Sequence, residues 1–250
     1  MRKSLARIGV LTGRNMKEIL RDPISLVFAI VMPLVLEILF YLIFHDLTAQ
    51  FEMRYLAPGI VVFAQSFLAL FVGLLLATDR STSFLTRLYV SKARSYEFII
   101  SYAIAIVPIV LIQSVLFFVV GGLFDHAIFT VGMLFAVLLG LVTSLFFIAT
   151  GLLLGCVCNE KSVGGICSIV IAGQSVLSGM WFPLDGVNQG MLTVMKVLPF
   201  RNATMVIQNA LNGIGNAVDD LIVPIAIVLA YTLVVFVAAI LIFKLKMKSK

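Results

Sequence analysis

Residues 24–44 read ISLVFAIVMPLVLEILFYLIF, a continuous apolar run interrupted only by Ser25 and Glu37. A helix rises about 1.5 Å per residue and the hydrocarbon layer of a membrane is about 30 Å thick, so this run is long enough to cross it. Because backbone groups in lipid must form hydrogen bonds within their own segment, a helix is favoured over strands. The run therefore predicts a transmembrane helix.

The rest of the chain repeats this pattern. Of the 250 residues, 62% are hydrophobic and 12% are charged, and the mean hydropathy is +1.15. A soluble domain cannot bury so much apolar surface, so we predict an all-α integral membrane protein in which residues 1–250 form a single domain. Its six transmembrane helices are predicted at about 24–44, 58–78, 98–122, 132–156, 164–182 and 221–243.

Lysine and arginine are concentrated in alternate connections and at the two termini. They resist translocation, so the segments that carry them are expected in the cytoplasm. These residues are Arg2, Lys3, Arg7, Arg14, Lys17 and Arg21 before the first span, Arg80, Arg87, Lys92 and Arg94 in the second connection, and Lys244, Lys246, Lys248 and Lys250 at the end. We therefore predict a multi-pass protein of the cell membrane with both termini in the cytoplasm.

Residues 4–21 predict an amphipathic helix. Steps of about 100° per residue place its apolar and charged side chains on opposite faces. The apolar face comprises Leu5, Ile8, Thr12, Met16 and Ile19, and the charged face comprises Arg7, Arg14, Lys17, Glu18 and Arg21. Such a helix lies along the inner membrane surface, and the alternative is a solvated leader without function.

No catalytic constellation is visible in the sequence. The only histidines, His45 and His126, lack a companion motif, and three cysteines (Cys156, Cys158 and Cys167) favour a packing role over a redox or metal role. A phosphate-binding G-x-x-x-x-G-K-[ST] loop is absent, so this chain cannot hydrolyse ATP by the usual P-loop route. The chain is expected to be no enzyme, and any ATP dependence must come from a partner.

Glu37 is the charged residue inside the first span. A charge at this depth costs at least about 2.5 kcal/mol, so we expect Glu37 to face the bundle or a wet cavity. With Gln65, Gln113 and Gln174 it forms our set of candidates for the substrate path. The alternative is structural, since a carboxyl bonded to one of these glutamines would tie two helices together.

Two other features of the spans concern the backbone. Pro33 and Pro108 interrupt the hydrogen bonds of their helices and can kink them. Gly151 and Gly155 form a G-x-x-x-G pattern, which allows close helix packing within the chain or between copies.

The two longest connections differ in character. The cytoplasmic segment 79–97 combines basic residues with Phe84, Leu85, Leu88 and Tyr89 at helical spacing, which predicts a docking helix, or alternatively a second interfacial helix. In the outer segment 183–215, Pro183 ends the fifth span, and apolar residues on both sides of Pro199 predict two short helices that dip back into the membrane. This re-entrant hairpin lies between spans 5 and 6.

Four motifs in order give the chain a resemblance to the type-2 ABC transporter permeases, the ABC-2 membrane subunits, in their drug and antibiotic exporter branch. They are Arg21-Asp22-Pro23, the segment Asp79-Arg80-Ser81-Thr82-Ser83-Phe84-Leu85-Thr86-Arg87-Leu88, the outer pair Ser178-Gly179 and Phe182-Pro183-Leu184 around Trp181, and Leu198-Pro199. Ser83 stands where glycine is usual, and a proline between the outer motifs is replaced near Gly186 to Asn188.

The resemblance implies an exporter built from two permease chains, the second a copy of this one or a related permease, and two separate P-loop ATPase subunits. It implies no cofactor in this chain, with ATP and Mg on the partner subunit, contact with membrane lipid and no nucleic-acid partner. The residues expected to contact the ATPase are Arg14, Lys17, Arg21, Asp79, Arg80, Leu85, Arg87, Leu88, Glu160 and Lys161.

We expect the cargo to be an amphipathic drug, antibiotic or lipid-like compound. The alternatives are a permease for a cell-surface polysaccharide, an ion-coupled secondary transporter with Glu37 as the proton site, and a membrane-embedded enzyme, which the missing catalytic constellation disfavours.

Overall fold

The computed structural model describes residues 2–82, 94–182 and 184–248. In these residues the chain forms nine α-helices and no strand, which confirms the predicted all-α membrane class. The helices are α1 (Arg2–Leu20), α2 (Pro23–Phe44), α3 (Met53–Ser81), α4 (Ser95–Phe124), α5 (Val131–Val157), α6 (Glu160–Leu177), α7 (Gln189–Val197), α8 (Pro199–Asn212) and α9 (Val223–Lys248). Short 3-10 turns lie at Ala49–Phe51, His126–Ile128 and Leu184–Gly186, and a π turn at Val218–Ile222 precedes α9.

Five stretches of the described chain are long and apolar enough to cross a membrane. They are α2, α3, α4, α5 and Val218–Lys246, which includes most of α9. The remaining predicted span, 164–182, coincides with α6, a helix of 18 residues that carries Glu160 and Lys161 in its first turn. The count of six spans therefore stays a prediction.

The end of α6 differs from the sequence prediction. The helix ends at Leu177 rather than at residue 182. Gly179, two residues later, has a φ of +70°, a left-handed conformation that glycine adopts without strain. This residue turns the chain before the helix can continue to Phe182.

α3 lies at the centre of the bundle and packs closely against α5. A Cβ atom added to Gly155 would lie 2.7 Å from the carbonyl oxygen of Gly73, and one added to Gly151 would overlap the carbonyl of Ala69. Glycine at these positions lets the two backbones approach. The G-x-x-x-G pattern therefore serves packing within the chain.

α2 contacts the bundle along one stripe. Its buried residues Ala29, Pro33 and Glu37 are spaced four apart and lie on one face. Pro33 has no N–H, which leaves the Ala29 carbonyl, four residues earlier, without its helical donor. The side-chain amide of Gln113, on α4, donates to that oxygen at 2.9 Å. The Gln113 amide thereby replaces the hydrogen bond that Pro33 cannot donate.

The helical hydrogen bonds missing at two other prolines are likewise replaced, each by an asparagine of α8. Asn212 donates to the Arg54 carbonyl before Pro58, and Asn209 donates to the Asp220 carbonyl before Pro224, both at 2.9 Å. In each case the accepting carbonyl lies four residues before the proline. α8 is therefore bonded to the beginnings of α3 and α9.

The bundle has two distinct ends. The α1 end comprises α1 and the adjoining ends of α3, α4, α5 and α9, which side-chain hydrogen bonds join. The hairpin end comprises α7, α8 and the turns that precede α3 and α9. The two short helices predicted in segment 183–215 are thus present, joined at Leu198. Their depth in the membrane stays a prediction.

Candidate functional site

α1 is attached to the start of α4 through the carboxylate of Glu97. Its Oε1 accepts hydrogen bonds from the Ser4 hydroxyl at 2.5 Å and from Nη2 of Arg7 at 2.9 Å. Its Oε2 accepts from the backbone N–H of Arg94 at 3.0 Å. Because Glu97 is fully buried, the ion pair with Arg7 is shielded from water on the acid side.

A second acid attaches α1 to the end of α3. Asp79 is 5% exposed and accepts two hydrogen bonds from the Arg14 guanidinium, of which Nη2 to Oδ1 measures 2.7 Å. The hydroxyl of Tyr102 on α4 donates to the same carboxylate at 2.5 Å. Burial alone would lower the pKa of Arg14, but the hydrogen bonds and the charge of Asp79 outweigh it and raise that pKa. We call the pairs Arg7–Glu97 and Arg14–Asp79 the α1 clamp.

Two basic residues cap the carboxyl end of α5 at the same end of the bundle. Nη1 of Arg80 donates to the carbonyls of Gly155 and Cys158 at 2.5 and 3.2 Å, and Nζ of Lys246 donates to Val157 at 3.0 Å. Cations at a helix carboxyl terminus satisfy its free carbonyls and complement its dipole. α3, α5 and α9 are thereby joined.

The predicted ATPase contacts fall into three groups. Arg14 and Asp79 bind each other, and Arg80 binds α5, so these side chains are engaged within the chain. The side chains of Lys17, Arg21, Glu160 and Lys161 are exposed at the α1 end. Leu85, Arg87 and Leu88 lie outside the described residues, as does most of the predicted docking segment 79–97. Contact with an ATPase stays a prediction for all of them.

The faces of α1 differ from the sequence prediction. Arg7 and Arg14 were expected opposite the apolar face, yet both contact the bundle, whereas Leu5 is exposed. The two arginines are seven residues apart, or about two helical turns, and so share a side of the helix. Sequence periodicity alone missed the clamp because its acidic partners, Glu97 and Asp79, lie in other helices.

Glu37 is fully buried in the half of α2 nearer the hairpin end. Neither carboxylate oxygen accepts a hydrogen bond from any residue that the structure describes. Its Oε1 lies 3.2 Å from the position that a Cβ atom on Gly121 would take, so the missing side chain of that glycine makes room for the carboxyl. The expectation that Glu37 faces the bundle is met, but it bonds to none of the three predicted glutamines.

Those glutamines have separate environments. Gln65 joins α3 to α5, donating to the Gly140 carbonyl at 2.9 Å and accepting from Thr143 at 3.1 Å. Gln113 donates to the Ala29 carbonyl, which Pro33 leaves without a helical donor. Gln174 on α6 is fully buried, and neither amide atom has a hydrogen-bond partner within the described ranges. The structure therefore does not bring the four substrate-path candidates together.

At the hairpin end, the turn after α6 is held by side chains. Gln50 donates to the carbonyls of Gly179 and Met180 at 3.0 and 3.3 Å, and the indole of Trp181 donates to Ser175 at 2.6 Å. Ser178 is buried and Phe182 is half-buried, whereas Pro183 lies outside the described residues. Pro199 occupies the first turn of α8, where its missing N–H costs nothing.

Arg201 faces this turn from α8. Its Nε and Nη1 are buried and have no hydrogen-bond partner in the described chain. A Cβ atom on Gly179 would lie 3.6 Å from Nη1, so the turn is close to the guanidinium. Burial lowers the pKa of Arg201 from its ordinary value.

The ABC-2 type transporter family matches the chain over residues 6–211. The chain belongs to this family. The match runs from α1 to the end of α8, and so includes both the α1 clamp and the turn around Gly179. A comparison with curated proteins returned no match.

Membership in the ABC-2 type transporter family identifies the chain as a multi-pass membrane protein and a permease subunit of an ABC transporter. Subunits of this family lack the ATPase domain and work with an ATP-binding subunit. The sequence resemblance to the family is thereby confirmed. The α1 end, with its exposed charged residues, is our candidate site for that subunit.

Proposed function

We propose that this ABC-2 type transporter subunit is the permease of an ATP-driven exporter. It moves an amphipathic drug, antibiotic or lipid-like compound out across the cytoplasmic membrane. Both termini lie in the cytoplasm, in line with the distribution of lysine and arginine, so the α1 end faces the ATPase. The separate subunit binds ATP and Mg²⁺, and this chain holds no cofactor.

The observation that carries this proposal is the attachment of α1 to the spans. Two ion pairs, seven residues apart on α1, fix it to the end of α3 and to the start of α4. Since both acids are buried, removing a partner from either pair leaves an uncompensated charge, which opposes separation. A displacement of α1 by the ATPase would therefore move α3 and α4 with it.

The exposed side chains at the α1 end are suited to contact the ATPase. Lys17 lies on α1, Arg21 directly follows it, and Glu160 and Lys161 lie at the start of α6, with both signs of charge represented. Exposed charges of both signs steer association and fix its orientation. Leu85, Arg87 and Leu88 lie outside the described residues and are proposed contacts on the sequence resemblance alone.

A second permease copy would pack against α6. Its exposed face carries small residues, Gly165, Ser168 and Ala172, around Ile169. A Cβ atom on Gly165 would have no described neighbour within 4 Å, so this glycine serves no contact within the described chain. Small residues on a transmembrane face allow close helix packing, which supports pairing of two copies.

Transport in vesicles tests the proposal. The chain would be purified together with the ATP-binding subunit from the same organism and reconstituted in vesicles. Uptake of a fluorescent amphipathic dye would then be measured. We expect uptake that needs ATP and survives loss of the proton gradient. Uptake that follows the proton gradient without ATP would overturn the proposal in favour of an ion-coupled transporter. In that case Glu37→Gln would abolish transport.

Cargo class is tested in the same vesicles. An isoprenoid-linked oligosaccharide and the amphipathic dye would be added separately, and the rate of ATP hydrolysis would be measured. The proposal expects the amphiphile to stimulate ATP hydrolysis and the oligosaccharide to leave it unchanged. Stimulation by the oligosaccharide alone would assign the chain to polysaccharide export.

A further inference from the structure

A cavity of about 210 Å³ lies where α1 meets α2, against the side of α3. Its mouth carries the charged residues Glu18, Arg21 and Asp22, and its wall carries Phe71 and Leu74. Asp22 also caps α2, accepting from the backbone N–H of Ser25 at 3.2 Å and from its hydroxyl at 2.6 Å. The cavity is therefore polar at the α1 end of the bundle and apolar on the α3 side.

A second cavity, of about 150 Å³, continues the first along α2. It shares Ser25, Phe71 and Leu74 with the first and adds Phe28 and Phe67. Phe28 also lines a third depression, of about 310 Å³, whose walls from Val27 to Leu36 are entirely apolar. That depression is lined by α2 alone, whereas the first two cavities share three residues and form one groove between α2 and α3 that becomes less polar with distance from α1. We call it the α2 groove.

The α2 groove lies at the beginning of the first membrane span. Arg21 and Asp22 precede α2, which begins at Pro23. Phe28 lies five residues beyond Pro23, or about 8 Å along the helix. An amphiphile seated with its polar end at Arg21 would thus place the first part of its chain beside Phe28, Phe67 and Phe71.

The charges at the mouth define the polar end. Arg21 supplies one cation, suited to a phosphate, and Glu18 and Asp22 supply two carboxylates, suited to an ammonium group. Asp22 already caps α2 and Glu18 lies 3.8 Å from Nη2 of Arg14, but a carboxylate has about four lone-pair sites, so both keep acceptor capacity for an ammonium group. Among the residues that line the cavity, an anionic headgroup without an amine would meet two carboxylates and one guanidinium. A headgroup that carries both a phosphate and an ammonium group satisfies all three residues.

We propose that the α2 groove binds one aminophospholipid, of the phosphatidylethanolamine type, from the leaflet in which α1 lies. Its phosphate contacts Arg21, its ammonium group contacts Glu18 and Asp22, and its acyl chain follows Phe71, Phe67 and Phe28. Because α2 touches the bundle along a single stripe, the lipid fills the space between α2 and α3 that side chains leave open. The site does not depend on which cargo the transporter moves.

Fluorescence quenching by brominated lipid tests this site in the full chain. Trp181 is the only tryptophan, so Trp181→Phe with Phe28→Trp gives a single reporter in the groove. Vesicles would contain phosphatidylethanolamine and phosphatidylglycerol in equal amounts, with bromine on the acyl chains of one or the other. We expect quenching to favour brominated phosphatidylethanolamine by about two- to fivefold, the ratio that exposed charge pairs support.

A matched reporter distinguishes the groove from ordinary lipid contact. Leu241→Trp in the same Trp181→Phe background lies on α9 at a similar distance from the α1 end and is also exposed. It should show no headgroup preference. Equal preference at both reporters would overturn the proposal, as would a preference for phosphatidylglycerol at Phe28→Trp, since a basic surface helix attracts anionic lipid without any groove.

Charge variants assign the headgroup contacts. In the Phe28→Trp background, Glu18→Gln and Arg21→Gln should each abolish the preference, whereas Lys17→Gln, an exposed basic residue outside the groove, should retain it. A preference that survives both groove variants would contradict the assignment. If the tryptophan variants fold poorly, mass spectrometry of lipid that co-purifies with the otherwise native chain gives the same comparison, because loss of phosphatidylethanolamine should follow Glu18→Gln and Arg21→Gln only.

Discussion

Asp79 receives hydrogen bonds from two helices at once, through Arg14 of α1 and Tyr102 of α4. The carboxylate is buried while Arg14 is partly exposed, so Asp79→Asn removes the charge that faces the guanidinium and leaves one amide oxygen to accept from both Arg14 and Tyr102. We expect Asp79→Asn to lower the free energy of unfolding by about 1 to 3 kcal/mol. Thermal unfolding of the purified chain in detergent would measure it.

A double-mutant cycle separates the ion pair from other effects of that substitution. Combining Arg14→Gln with Asp79→Asn should destabilise the chain by less than the sum of the two single variants, because the second substitution removes the uncompensated charge. Lys17→Gln, on the same helix but exposed, should leave stability unchanged. Additive effects would show that Arg14 and Asp79 do not stabilise each other.

At the hairpin end, Arg201 differs from the well-bonded Asp79. Its Nε and Nη1 are buried, so these two donors have lost water without gaining an acceptor in the described chain. Methionine keeps most of the length and removes the charge. We expect Arg201→Met to leave the free energy of unfolding unchanged or to raise it by up to about 1 kcal/mol.

The matched control for Arg201 is Arg54, which forms an exposed ion pair with Glu52 at 2.6 Å. Arg54→Met should leave the melting temperature unchanged or lower it slightly. A marked loss of stability in Arg201→Met alone would mean that the guanidinium is satisfied in the folded protein and that our description of its environment is wrong.

At the scale of the helix, the hydrogen bond that Pro33 cannot donate to Ala29 gives a prediction that a second substitution can check. Gln113→Leu removes the donor to the Ala29 carbonyl and leaves that oxygen unpaired in the bundle. We expect a loss of about 0.5 to 2 kcal/mol in the free energy of unfolding. Pro33→Ala supplies a backbone N–H four residues after Ala29, so the double variant should recover much of the loss.

Gln174→Leu is the control for this helix prediction, because neither of its amide atoms has a partner in the described chain. It should be neutral or stabilising in the same unfolding experiment. If Pro33→Ala fails to rescue Gln113→Leu, the hydrogen bond to Ala29 is not the reason why the glutamine matters.

The helices could be predicted from the sequence, whereas their polar partners could not. The first span was expected at 24–44 and is Pro23–Phe44, because hydropathy and the Asp22-Pro23 start are local signals. The partner of Gln113 depends on which helix lies beside α4, and no local pattern shows that. For the same reason a bond from Glu37 to a glutamine was one of two alternatives, and its carboxyl lies against Gly121 instead. The end of α6 was placed too late because Gly179 turns the chain within an apolar sequence.

At the scale of the whole molecule, the exposed helices differ in what they expose. α2 and α9 present mainly large apolar side chains, which suit lipid, whereas α6 exposes Gly165, Ser168 and Ala172 among the larger Ile166, Ile169 and Val176. In a symmetric pair of permeases, a residue near the twofold axis meets its own copy. Ile169 is 71% exposed and central in this face, so we expect it to lie close to that axis.

Cysteine cross-linking tests this arrangement in membranes. The three native cysteines would first be replaced by alanine, and Ile169→Cys would then be treated with a short thiol-reactive cross-linker. We expect a covalent dimer, while Val234→Cys on α9, which is similarly exposed, should stay monomeric. Dimers from Val234→Cys alone would place the interface on α9, and the small residues of α6 would then face lipid, where their size gives no packing advantage.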